Sequence, residues 1–316
     1  MGEGRRRRPW GGRGAAAFRL SRPDQVLLVL VVAAVGWLAG SRGASTEQGS
    51  TLAGWLAGAG GAPCGAGLAP LGVLTAAAGV LAVAVSVHAV NEFADAATDA
   101  RTVRTRFSGG SGALADHGLP AVFALRVALA AGGAAVVVVG VGLVTRWVSG
   151  LVAVLLLVGL VGGWTYSVGP WPWSRHGWGE VVNAVLGGLL LPATGAVVAG
   201  APLGWSVRVF VPFALLTFVN LLETQWPDRE ADCSVGKHTL ASRLSAPVLR
   251  RAGAVAIVAA YLVSVVVHPW PVAAAGLLVA PLSVYAVARL GHGPPGPSVA
   301  AMVLFLLLHG AAWVLA

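Results

Sequence analysis

The chain has 316 residues, 57% of them hydrophobic and 10% charged, and a mean hydropathy of +0.79. A soluble domain usually carries about 25% charged residues, so these values exclude an ordinary cytosolic globular protein, a disordered chain and a nucleic-acid-binding domain. The net charge of +9 comes from 21 basic residues scattered between long apolar runs, which is how membrane proteins carry their topology signals.

Residues 1–18 are basic and glycine-rich, with Arg5, Arg6, Arg7 and Arg8 in a row. They read as a disordered cytoplasmic tail preceding a transmembrane domain over 19–316. A cleaved signal peptide would need its apolar stretch sooner and a small-residue cleavage site after it. Crossing the hydrocarbon takes about 20 apolar residues per helix. Nine segments meet that need: 24–40, 68–90, 120–144, 148–165, 180–200, 208–224, 250–268, 271–289 and 298–316. The expected fold is therefore all-α, a polytopic membrane bundle of nine helices. The breaks between segments hold Gly, Pro or charge. Residues 51–63 are mildly apolar and read as a surface helix. The 44 glycines follow no collagen period and suit close helix packing.

Orientation follows from the basic residues. With the N-terminus in the cytoplasm, seventeen Arg and Lys fall on inside segments, whereas Arg42, Arg146 and Arg208 fall outside. This predicts a cell-membrane protein with its N-terminus inside. Trp37, Trp147, Trp205, Trp270 and Trp313 near the outer ends, and Trp164, Trp173 and Trp178 near the inner ends, read as aromatic belts.

Acid is rare, with twelve carboxylates, and seven lie in two clusters. The first runs Asn91-Glu92-Phe93-Ala94-Asp95-Ala96-Ala97-Thr98-Asp99. The second holds Glu223 and then Asp228-Arg229-Glu230-Ala231-Asp232. Both lie at inner ends, of the second and sixth predicted helices. Asn91, Asp95 and Asp99 are spaced by four and four, and so are Asp228 and Asp232. Residues four apart share a helix face, so two acidic faces at one depth can oppose each other across a cavity. Carboxylates repel unless cations lie between them. Oxygen donors suit Mg²⁺, which shares its shell with substrate phosphates. The pattern predicts a Mg²⁺–diphosphate site. Solvated acids at a membrane edge are the bland alternative, but acid inside an apolar bundle is costly and marks function.

Arg101, Arg104 and Arg106 follow the first cluster, and Lys237 follows the second within Gly236-Lys237-His238-Thr239. Such cations neutralise a diphosphate, or are topology charges; for Arg101 and Lys237 the closeness to acid favours function. Ser108-Gly109-Gly110-Ser111-Gly112 could cradle phosphate through its N–H groups or be a plain loop. It lacks the strand and lysine of a nucleotide P-loop. Tyr166 ends the fourth helix and suits either a hydrogen bond to an acid or phosphate, or the belt. Glu180 begins the fifth helix, where an acid favours the N-terminus, with a role near an acceptor as the alternative. Glu223 could support the second cluster from behind. His117 and His176 could assist an acceptor, His309 reads as packed, and Cys233 reads as a spacer. Cys64 and Cys233 are too far apart for a metal motif and too few for a disulfide framework.

Asn91-Glu92-x-x-Asp95-x-x-x-Asp99 resembles the first aspartate-rich motif of the UbiA superfamily of intramembrane prenyltransferases, N-D-x-x-D-x-x-x-D. Pro227-Asp228-x-Glu230-Ala231-Asp232-x-x-x-Gly236-Lys237-x-Thr239-Leu240 resembles the second. Tyr166-Ser167, Gly179-Glu180-Val181-Val182-Asn183 and Arg22-Pro23 also fit, and the resemblance spans residues 19–316. Glu92 departs from the usual Asp and is expected to lie off the Asn91/Asp95/Asp99 face. The resemblance implies nine helices and an allylic prenyl diphosphate held by Mg²⁺ on the cytoplasmic side. Asn91, Asp95, Asp99, Asp228 and Asp232 would hold the metal. Arg101 and Lys237 would stabilise the departing diphosphate, with Tyr166 beside them. The other partners are the bilayer and a small acceptor, aromatic in many members and used in quinone synthesis. A membrane terpene cyclase, needing no acceptor, is a second reading. A transporter is a third; transporters show repeats and midplane charges, and these acids lie at helix ends.

Overall fold

The computed structural model describes residues 12–43, 68–102 and 109–315. Among these residues it is entirely helical, and nine helices are long and apolar enough to cross a membrane. All nine match predicted spans. In chain order, a short α1 (Arg13–Leu20) leads to α2 (Pro23–Gly43) and α3 (Pro70–Asp99). A short α4 (Ala113–His117) precedes α5 (Ala121–Val144), α6 (Gly150–Ser167) and α7 (Gly179–Val198). Then come α8 (Leu203–Ser234), a one-turn α9 (Leu240–Arg243), α10 (Ala246–Val267), α11 (Trp270–Arg289) and α12 (Gly296–Leu315). Helices α3 and α5 pack together, as do α2 with α7 and α8 with α10, and α12 returns to α2 to close the bundle.

Two helices stand apart by length. Helix α3 has 30 residues and α8 has 32, against 18 to 24 for the other helices long enough to span a membrane. At 1.5 Å per residue these run to roughly 45 Å, well beyond the ~30 Å hydrocarbon core. The excess turns carry Asn91–Asp99 and Asp228–Asp232. The predicted end at 90 is therefore too early, whereas the predicted end at 224 is where the regular α-helix of α8 stops before a tighter turn carries the chain on. An apolar count stops where charge begins, but the backbone does not, because the motifs are themselves good helical sequence. In α8, Pro227 lacks an N–H, and the chain takes a tighter turn over Trp226–Asp228 before resuming as Arg229–Ser234.

The expected disordered tail is corrected over its described part. Residues 13–20 form α1, because Leu20 is buried beside Ala113 and Ala124 and Arg19 pairs with Asp116 at 2.8 Å. The polyarginine run, residues 51–63, Cys64, Arg104, Arg106 and Ser108 lie outside the described residues.

Glycine acts as a spacer between helices. A Cβ on Gly36 would meet the carbonyl of Pro192, and one on Gly195 would meet that of Ala33. One on Gly40 would lie 2.7 Å from Ala196 Cα. These contacts let α2 and α7 touch backbone to backbone, where dispersion rather than water drives association. Pro192 has no N–H for the carbonyl of residue 188, and the wider π turn over Ala184–Leu190 absorbs the gap. That turn brings Gly188 against Ala214 and Thr217 of α8. We expect Gly36→Val to force α2 from α7 and cost about 1–3 kcal/mol, read as a lower melting temperature in detergent. Gly133→Val, where no neighbour lies within 4 Å, should melt near the parent.

Candidate functional site

The C-terminal ends of α3 and α8 lie side by side, and one cation joins them. After α8 the chain turns back at Gly236, at φ +69°, and the Lys237 amide donates to the Asp232 carbonyl at 2.9 Å. This aims the Lys237 ammonium between the motifs. It lies 3.0 and 3.1 Å from the two Asp95 carboxylate oxygens and 3.5 Å from Asp232 Oδ1. Lys237 and Asp232 are both buried. Burial alone would lower the lysine's pKa. The Asp95 and Asp232 carboxylates outweigh it and hold the ammonium above its ordinary range, so it stays charged at physiological pH.

Asn91 extends the array. Its amide donates to Asp95 Oδ2 at 3.2 Å, and its carbonyl accepts from the Ser167 hydroxyl at 3.2 Å. Tyr166, next to Ser167 on α6, bonds the Asn183 side chain of α7. Residues from α3, α6 and the loop after α8 thus meet at one point.

The expected four-carboxylate cluster is not drawn together. Among the described residues no three His, Cys, Asp or Glu side chains converge tightly enough to hold a metal by themselves. Spacing by four advances a helix by about 40° per step, so Asp99 has rotated away from Asn91 and faces the Gly109–Gly112 turn. Glu92, seven residues from Asp99, shares that direction. The expected Asn91/Asp95/Asp99 face is therefore a staggered one, along which Asp99 also neighbours Glu92 and the Gly110 turn. Asp228 is half-buried one turn before Asp232. Arg101 is exposed, and its guanidinium donates to the Ser234 carbonyl and hydroxyl, each at 3.1 Å, tying the end of α3 to that of α8.

Two further residues shape the site. Glu180 is fully buried, and its Oε1 accepts the Leu240 amide at 2.6 Å. It pins the loop that carries Lys237 rather than serving its own helix end alone. Its lone place in an apolar stretch was the available signal. Arg175 donates to the Ala94 carbonyl at 3.3 Å, and its own carbonyl accepts the His238 amide at 3.0 Å. It stitches the residue before Asp95 to the residue after Lys237. Nothing in a positive-inside count distinguishes such an arginine.

The lesser candidates fall outside this array. His176 stacks on Trp171, with centroids 3.8 Å apart, and His117 ends α4. Cys233 is exposed. Glu223 is buried on α8. His309 is packed, its Nδ1 3.1 Å from the Phe305 carbonyl.

The sequence profile of the UbiA prenyltransferase family matches residues 49–309. The chain belongs to this family, whose members are transferases of prenyl groups. No curated protein sequence matches it. Solved UbiA-type structures share the fold. A digeranylgeranylglyceryl phosphate synthase is similar with a TM-score of 0.63 and 14% identity, over 96% of this chain and 99% of that one. A UbiA homologue from Archaeoglobus fulgidus bound to GPP and Mg²⁺ has a TM-score of 0.60 and 13% identity, over 95% and 99%. An apo homologue from Aeropyrum pernix K1 has a TM-score of 0.64 and 18% identity, over 92% and 98%.

The Glu180 anchor in this UbiA protein predicts a split between two variants. Glu180→Gln keeps the Oε1 acceptor for Leu240 and should retain turnover within about threefold. Glu180→Ala should lose roughly 10- to 100-fold, the usual range for residues that orient a functional group. Steady-state turnover in reconstituted membranes measures both.

Proposed function

We propose that the chain is a Mg²⁺-dependent intramembrane prenyltransferase. It moves a prenyl group from an allylic prenyl diphosphate to a small acceptor, most simply an aromatic quinone precursor, and releases diphosphate. The observation that carries this reading is the Lys237 ammonium held between Asp95 of the first motif and Asp232 of the second. Carboxylates from two helices face one positive charge at the inner end of an apolar bundle.

The donor set fits Mg²⁺. All candidate ligands are oxygens, and Mg²⁺ needs one or two carboxylates when phosphates complete its octahedron, so a tight three-acid cluster is not required. Asp95 and Asp99 of the first motif and Asp228 and Asp232 of the second would hold Mg²⁺ ions on either side of the diphosphate, with the Asn91 carbonyl beside them. Bound there, the metal would neutralise charge on the departing diphosphate. The remaining work falls to the chain itself. Lys237 adds a fixed positive charge on the leaving-group side, and Arg101, at the junction of α3 and α8, adds a second. The nine-helix wall keeps water from the allylic cation. Tyr166, next in the chain to the Ser167 that bonds Asn91, would offer that cation an aromatic face. The acceptor attacks the cation and gives up a proton to complete the substitution. A lipid-soluble prenyl chain can leave between helices into the bilayer. The excess of basic residues on one side supports a cytoplasmic N-terminus and a site on the cytoplasmic face of the cell membrane.

Asp95→Ala and Asp228→Ala should each reduce turnover at least about 100-fold, on the scale of losing one preorganised charge-stabilising group, in protein that still elutes as a folded species. Near-normal turnover in either variant would remove the assignment. Chelation should abolish activity and Mg²⁺ should restore it. Labelled geranyl, farnesyl and geranylgeranyl diphosphates, supplied with and without aromatic acceptors, identify the reaction. A product that requires acceptor supports transfer, whereas a product formed without one favours cyclisation.

A further inference from the structure

We propose that Glu92, despite its place inside the first aspartate motif, holds neither metal nor substrate. It is a positioning residue that acts on Asp99 through Ser111 and Gly110. This rests on the reading of Asp99 as one of the metal-holding carboxylates.

The geometry is specific. Glu92 is 3% exposed, and each of its carboxylate oxygens is already used. Oε1 accepts the Ser111 amide at 2.7 Å, and Oε2 accepts the Ser111 hydroxyl at 2.8 Å. The Arg22 guanidinium lies 3.9 Å from Oε1 and balances the charge. The Ser111 carbonyl is taken as well, by Arg19 of α1 at 2.9 Å, and the same Arg19 pairs with Asp116 of α4. All three polar groups of Ser111 are thus fixed by α1 and α3.

What this clasp holds in place is Gly110. Its φ of +64° favours glycine, and a Cβ there would collide with the Asp99 carboxylate and lie 3.3 Å from Glu92 Oε1. The turn therefore packs directly against the Asp99 carboxylate, with no room for a side chain between them. Glu92 and Asp99 are two helical turns apart on one face of α3, so one residue grips the turn that confines the other. An Asp at position 92 would draw the carboxyl back by about 1.5 Å. It could not keep both short bonds to Ser111. The longer side chain is thus the one this loop needs.

The test uses the full chain in nanodiscs and two readouts. Hydrogen exchange at the Ser111 amide reads the clasp. Binding of Mn²⁺ alone, followed by loss of the free-ion EPR signal, reads its effect on Asp99. Glu92→Gln keeps an acceptor for the Ser111 amide, so exchange should stay slow and Mn²⁺ affinity within about threefold of the parent. Glu92→Ala should expose the amide and weaken Mn²⁺ by roughly 10- to 100-fold, the range for outer-shell partners of metal sites. Ser111→Ala, which leaves the acid intact, should weaken Mn²⁺ by several-fold, and Glu92→Asp should fall between parent and Glu92→Ala. If Glu92 is itself a ligand, Glu92→Gln falls as far as Glu92→Ala while Ser111→Ala binds normally, and the inference is overturned. A parent chain that binds no Mn²⁺ overturns the metal-site reading and this inference with it.

Discussion

The arrangement turns on one electrostatic constraint. Asp95 and Asp232 come from helices far apart in sequence, and both are drawn to the Lys237 ammonium. Two carboxylates at such range, within a bundle of low dielectric, repel strongly when nothing separates them. A single positive charge turns that repulsion into cohesion. On the proposed reading the same charge balance suits a diphosphate with its cations, which would present the carboxylates with positive metal and the lysine with negative oxygen. Breaking one partner of such a buried pair leaves the other uncompensated, so the contact between α3 and the lysine loop depends on both.

That junction is built from length. The two helices that carry the motifs are the two longest, and their excess turns lift the acids out of hydrocarbon, where each charge would be expensive. The loops that follow are then tied back by buried glutamates. Glu180 takes the Leu240 amide beyond the second motif, and Glu92 takes the Ser111 amide beyond the first. In each case an acid that could be mistaken for part of the reactive set accepts a backbone N–H. The logic is economical, since a buried carboxylate with a short charge-assisted bond fixes a loop more firmly than packing alone.

The sequence made the fold plain because nine apolar runs admit few alternatives once the backbone must satisfy itself in lipid. It made the motif pairing plain for a similar reason: acid is too scarce here to be decoration. It was less able to say where helices end, since hydropathy registers the loss of apolar side chains and not the continuation of backbone hydrogen bonds through Glu92 to Asp99. It also treated a spacing of four as a straight face. Over eight residues the helix turns far enough to separate Asp99 from Asn91, and that rotation decides which acid meets Lys237 and which meets glycine. Arg175 was invisible in principle, because its contribution runs through a guanidinium contact to the backbone of α3 and a carbonyl contact to the loop after α8.

Along α3 the first motif meets two sets of neighbours. Asn91 and Asp95 are tied to Ser167 and Lys237, whose positions depend on α6 and α8. Glu92 and Asp99 lie against the glycine turn, whose position depends on α1 through Arg19. The carboxylates of one motif are thus held by different parts of the bundle, so a change in the lysine loop bears first on Asp95 and a change in the glycine turn bears first on Asp99.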